Sequence, residues 1–227
     1  MRQRNIVPIR IFETGVLFGV ALDAARSIKA SPRDGGQQAA LVSIVFSVVA
    51  LEAFFNEATE LALDSKKYPP NLEPQSVSVF AEVMSDAERS HATLESKFTL
   101  ANRILAGKKL DTGAQPYQDF ALLMRLRNDL VHFKASDGFD QNESPEQIHK
   151  DLIARFKGKN ILAENTERSA GSWMFLIQTK AVAEWSCNTA AEMVFDFCST
   201  APQSGFRSFL EHFQKSFRPQ NLFPQRT

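Results

Sequence analysis

The chain has 227 residues, 44% of them hydrophobic, which suffices for one sizeable core. Its 26 Lys and Arg balance 26 Asp and Glu. That balance excludes a global basic field, so any nucleic-acid binding must use a local patch or a composite surface. The two cysteines, Cys187 and Cys198, show no metal-ligand spacing. They predict ordinary core thiols in a reducing compartment. Arg10, Glu13 and Asp23 interrupt the N-terminal apolar runs, so no signal-peptide pattern is expected. The longest apolar run, Ala39 to Leu51, is shorter than the roughly 20 residues of a membrane span. The expectation is a soluble, cytoplasmic protein with no membrane segment.

In chain order, residues 1–12 are basic, and the alternation of Val7, Ile9 and Ile11 admits a short strand or extended arm. Glu13 to Lys29 turns helical, and Ser31 to Gly36 is a loop rich in turn formers. Residues 37–64 form one long predicted helix. Its first half is apolar nearly all round, as in a central core helix. Acids then appear at Glu52, Glu57 and Glu60. Val45, Val48, Glu52, Asn56 and Thr59 share a face, which makes Glu52 a candidate buried carboxylate. It reaches solvent at the bundle edge, pairs with a buried cation, or acts directly in catalysis.

Pro69, Pro70 and Pro74 mark a connection. Helices are expected over 75–90 and 94–105, then a Gly-Lys loop at 107–113 and a helix over Tyr117–Phe133. Ser144, Pro145 and Gln147 read as a capped helix start, with the helix running to Phe156. A second loop spans 157–171. Trp173 to Cys198 reads as one long helix, and Phe206 to Phe217 as a short aromatic one. The fold class is therefore all-α, a helical bundle of seven or eight helices. There is no Gly-rich phosphate loop, no H-E-x-x-H, no G-x-S-x-G and no Cys/His ligand cluster.

The 117–133 helix raises a specific question. Phe120, Leu123, Met124, Leu130 and Val131 recur at helical spacing, and Arg127 falls in the middle of that stripe. A guanidinium cannot shed its proton, so it needs a partner there. Glu52 is the obvious anion. Asn128 and His132, four apart, share the neighbouring face. The other histidines, His91, His149 and His212, show no partner pattern and are expected on the surface.

Arg127-Asn-Asp-Leu-Val-His132 matches an R-x4-H motif in its R-N-x-x-x-H form. Leu51 to Glu57 lies upstream on the long apolar helix. Glu95 to Leu100 and Gly107 to Asp111 precede the motif helix. Together these resemble the HEPN superfamily of α-helical, nucleic-acid-associated domains. The resemblance divides a single helical domain, 1–227, into a HEPN-like core (13–134), an insertion (135–171) and closing helices (172–218).

The resemblance implies a metal-independent endoribonuclease of toxin or defence type, working as a homodimer with no cofactor. Two R-x4-H motifs then meet in a cleft, and cleavage leaves a 2′,3′-cyclic phosphate. Arg127 and His132 become the catalytic pair, with Asn128 orienting them. Many members keep the fold for binding or dimerisation alone, and a protein antitoxin or nucleotidyltransferase partner is a third class.

The chemistry is coherent because RNA carries its own nucleophile, the 2′-OH. His132 suits proton transfer near neutrality, and Arg127 suits a two-pronged contact to the scissile phosphate. Arg125 and Lys134 flank the motif as candidate phosphate contacts, and each is equally well a solvated charge. Phe133 could stack on a base, although core packing is the better expectation among 19 Phe. The competing reading holds Arg127 against Glu52 as a fold-holding ion pair, with His132 packed at a helix end.

Overall fold

The computed structural model describes residues 13–65, 74–133, 149–164 and 173–217. Among them the chain is all-helical, with nine α-helices and no strand. In chain order these are α1 (Thr14–Ser27), α2 (Ala39–Ser65), α3 (Gln75–Arg89), α4 (Leu94–Leu105) and α5 (Tyr117–Val131). They continue with α6 (Lys150–Gly158), α7 (Trp173–Ile177), α8 (Lys180–Thr200) and α9 (Gly205–Gln214). The expected arm over 1–12, the capped start at Ser144, Pro145 and Gln147, and Lys134 lie outside the described residues.

α2 is the central helix, packing against α1, α3, α5, α8 and α9. Ile44, Val48, Leu51, Phe54, Phe55, Ala58 and Ala62 along it are buried. By length and composition it is apolar enough to cross a membrane, and half of its most apolar window is buried against the bundle. The apolar run of its sequence, Ala39 to Leu51, is shorter than that window because Glu52 ends it. The two serines within it are buried and satisfied locally. Ser43 donates to Ala183 O at 3.2 Å, and Ser43 and Ser47 both sit beside the Cys187 Sγ, at 3.2 and 3.8 Å. Both cysteines are free and buried, and burial pushes their thiols up, Cys187 to about 11 and Cys198 to about 12. They are core side chains, as their spacing suggests.

The acids of α2 have separate tasks. Glu57 Oε1 accepts from the backbone N–H groups of Glu13 and Thr14 at 2.6 and 3.1 Å. It therefore caps α1 from a neighbouring helix, meeting orphan donors at the positive end of the α1 dipole.

A relay of phenylalanines joins the central helix to the motif helix. Phe55 of α2 meets Phe98 of α4 edge-on at 4.8 Å, and Phe98 meets Phe120 of α5 at 5.0 Å. Phe197 of α8 packs on Phe54 and Phe55, each at 5.3 Å. Such offset contacts stabilise by about 0.5–1.5 kcal/mol each beyond burial. They set the distance of α5 from α2, where Arg127 and Glu52 lie.

The expected single helix over 173–198 is two, α7 and α8, separated at Gln178 and Thr179. The backbone groups freed by the break are met from distant loops. Gln37 N–H donates to Gln178 O at 2.9 Å, and Ala181 N–H to Pro32 O at 2.9 Å. Thr179 Oγ1 accepts from Val182 N–H at 3.0 Å and donates to Ile161 O at 2.8 Å. This break raises the helix number from the expected seven or eight to nine. The loop over 31–37 comes this close because Gly35 packs on the Phe175 ring, where a Cβ would collide.

Candidate functional site

α5 is pinned at both ends. At its start, Asp119 accepts from Trp185 Nε1 at 2.9 Å and from Gln115 Nε2 at 2.9 Å, and pairs with Lys159 Nζ at 2.6 Å. Burial pushes the Asp119 carboxyl up. The Lys159, Trp185 and Gln115 bonds outweigh that and hold it below the usual range. At its other end, Arg127 Nη2 donates to Glu52 Oε1 at 2.8 Å, and Arg127 Nη1 donates to Asn128 Oδ1 at 3.1 Å.

The sequence places Arg127 in the centre of an apolar stripe, and the structure shifts it to the border. The buried residues of α5 are Phe120, Leu122, Leu123, Met124 and Leu126. Leu130 is only half-buried and Val131 is 55% exposed. The last turn of α5 rises out of the core, so the Arg127 side chain is 22% exposed and the Glu52 side chain 41%. Two readings of Glu52 thus hold together: it stands at the bundle edge and it pairs with Arg127.

Arg127, Asn128 and Glu52 line a cleft of about 360 Å³ between α2, the α3–α4 turn and α5. His91, at the α3–α4 turn, lines it too, and nothing in the sequence signals this, because His91 and Arg127 are joined only by the fold. Glu88, Glu95 and Lys97 complete its charged lining, with Lys97 paired to Glu88. The cleft therefore holds three carboxylates against two cations.

His132 does not line this cleft. It is the C-cap residue of α5, its backbone N–H donating to Asn128 O at 2.9 Å, and its side chain is exposed. It is not packed at the helix end, contrary to the fold-holding expectation for it. Phe133 follows it at 37% exposure, so core packing is not its role either. Arg125 is exposed, with Nε 3.9 Å from Asp129 Oδ2.

The sequence misses a second histidine. His149, expected on the surface, is largely buried. Its Nδ1 lies 3.2 Å from Asp129 Oδ2, and its ring packs on Trp173 at 4.5 Å. Asp129 is part of the motif helix, so this contact ties the start of α6 to the back of the motif. Among the described residues there is no His, Cys, Asp and Glu group able to hold a metal ion.

Compared with protein-family models, with curated proteins and with solved structures, the chain matches none.

Proposed function

We propose that this chain is a HEPN-like, metal-independent endoribonuclease of toxin or defence type, with its active site composed from two copies of the chain. One observation carries the reading: an exposed His132 sits five residues beyond an Arg127 that is held in place from both sides, by Glu52 and Asn128. A guanidinium fixed in this way is preorganised for a phosphate oxygen, and an exposed imidazole is available for proton transfer. His132 takes the proton of the ribose 2′-OH. The 2′ oxygen attacks phosphorus, and the 5′ oxygen leaves with a proton from His132 of a second copy. The products are a 2′,3′-cyclic phosphate and a 5′-OH end. The apolar surfaces of Val131 and Phe133 flank His132 and supply the area that a second copy would cover.

A second reading has its own support. Both terminal nitrogens of Arg127 already have acceptors, and the cleft beside it is rich in carboxylates. An acidic lining repels RNA phosphates, so this arrangement favours the protein-binding or dimerisation form of a non-catalytic helical module. There Arg127 serves structure, and a protein antitoxin or nucleotidyltransferase is a suitable partner class.

Incubation of the purified protein with single-stranded and structured RNA in EDTA separates the two. The enzyme reading expects cyclic-phosphate ends from the wild type and none from His132→Ala. Absence of cleavage by both proteins, with folding intact, favours the binding module. Cleavage that survives His132→Ala removes His132 from the mechanism.

A further inference from the structure

The cleft beside Arg127 holds a second cation that the R-x4-H motif does not include. Lys97 of α4 lines it together with Arg127 of α5, and the buried side chains of Leu94 and Met124 back the same cleft. Apolar walls of this kind lower the local dielectric and strengthen a charge contact made against them.

The two cations are arranged alike. The Lys97 side chain is 12% exposed and pairs with Glu88, whose side chain is 55% exposed. The Arg127 side chain is 22% exposed and pairs with Glu52, at 41%. In both pairs the cation lies deeper and the carboxylate stands nearer to solvent. The cleft thus has a cationic floor beneath an acidic rim.

The Glu88–Lys97 pair is poorly placed as a device for stability. Glu88 is in the last turn of α3, and Lys97 closes the first turn of α4. A carboxylate at a helix C-terminus and an ammonium at a helix N-terminus each oppose the local dipole. An ion pair with so exposed a partner also adds little to the fold. Glu88 can therefore leave Lys97 with little loss. A phosphate suits the two cations better, because its oxygens accept charge-assisted bonds from the ammonium and the guanidinium together. A single strand of RNA brings successive phosphates to cations on two helices.

Resting on the RNA reading above, we propose that Lys97 joins Arg127 in binding RNA phosphates in this cleft, and that Glu88 competes with RNA for Lys97, so that the free protein is autoinhibited. The carboxylates that repel RNA are then the outer halves of ion pairs that open when it binds.

Fluorescence anisotropy of the full chain with a labelled, single-stranded 2′-O-methyl RNA of about twelve nucleotides tests this. That probe has no free 2′-OH and is not cut, so binding is read apart from cleavage. Glu88→Gln keeps the shape and removes the charge, and is expected to tighten binding by about three- to tenfold and to steepen its salt dependence. Adding Lys97→Met cancels the gain, whereas adding Lys97→Arg retains it. Asp86→Asn removes a carboxylate of the same helix that does not line the cleft, and is expected to change affinity by less than about twofold. Unchanged, weaker or undetectable binding by Glu88→Gln overturns the proposal. So does an equal gain from Asp86→Asn, which reduces the effect to net charge, or a gain that survives Lys97→Met. Capture of oligoglutamate by Glu88→Gln in preference to RNA overturns it in favour of an acidic protein partner. Cleavage of ordinary RNA that depends on His132, beside an unaltered Glu88→Gln affinity, removes the autoinhibition and leaves the ribonuclease reading standing.

Discussion

Arg127 reaches across 75 residues of sequence to Glu52, donating at 2.8 Å, while the same guanidinium donates at 3.1 Å to its neighbour Asn128. The pair joins the motif helix to the central helix at the margin of the core. Because both side chains keep contact with solvent, the pair stabilises less than a fully enclosed one. Arg127→Ala is expected to lower stability by about 1–2 kcal/mol, below the roughly 3–5 kcal/mol of a stripped buried pair. Urea denaturation of Arg127→Ala, Glu52→Gln and the double variant measures it. A coupling energy near zero in that cycle shows that the two residues do not act as a pair.

His132 is expected to behave differently. Its side chain is exposed and its only described hydrogen bond is a backbone one, which alanine keeps. His132→Ala should therefore change stability by no more than about 0.5 kcal/mol. A loss of RNA cleavage without a loss of stability marks a functional group. A drop in melting temperature of several degrees instead reveals packing of the imidazole.

The relation of Arg127 to Glu52 was legible in the sequence because a guanidinium in an apolar stripe needs an anion, and few acids lie on apolar faces. The stripe itself was drawn one turn too long. Periodicity does not show where a helix leaves the core, so Val131 and Phe133 read as buried and are exposed. The start of α4 is set within its own sequence, because Thr93 caps it locally, accepting from Ser96 N–H at 3.2 Å. The α7–α8 break was not legible, since the groups that satisfy it come from Gln37, Pro32 and Ile161. His149 was missed for the same reason: Asp129 becomes its partner only through the fold.

The break makes Thr179 a sensitive position. Its hydroxyl accepts from Val182 N–H, donates to Ile161 O and is fully buried. Thr179→Val preserves the shape and leaves both partners unmet. The expected loss is about 1–3 kcal/mol, read as a lower urea midpoint with an unchanged slope. A midpoint equal to that of the wild type would show that the α8 cap is dispensable.

Asp196 is expected to be held at a cost to the fold. Burial raises its carboxyl pKa, so its ionised form at neutral pH disfavours the folded state relative to the unfolded one. Asp196→Asn should raise the melting temperature at neutral pH. That gain fades as pH falls through the raised folded value and is gone below about 3.9, where the carboxyl is protonated in both states. Melting curves at neutral and acid pH check it, and an unchanged or lower melting temperature at neutral pH rules out the strain.

Asp119 carries the opposite sign. Burial alone would raise its carboxyl, but Lys159, Trp185 and Gln115 together hold it below the ordinary value. Its ionised form thus favours the folded state. That contribution is complete above the unfolded carboxyl pKa of about 3.9 and disappears as pH falls through the lowered folded value. Asp119→Ala strips three partners at the start of α5 and is expected to lose about 2–3 kcal/mol at neutral pH. The difference from wild type should stay constant from neutral pH down to about pH 4 and then shrink. Urea midpoints of the two proteins across this range measure the effect. A gap that persists unchanged into strong acid assigns the loss to packing and not to the charge of Asp119.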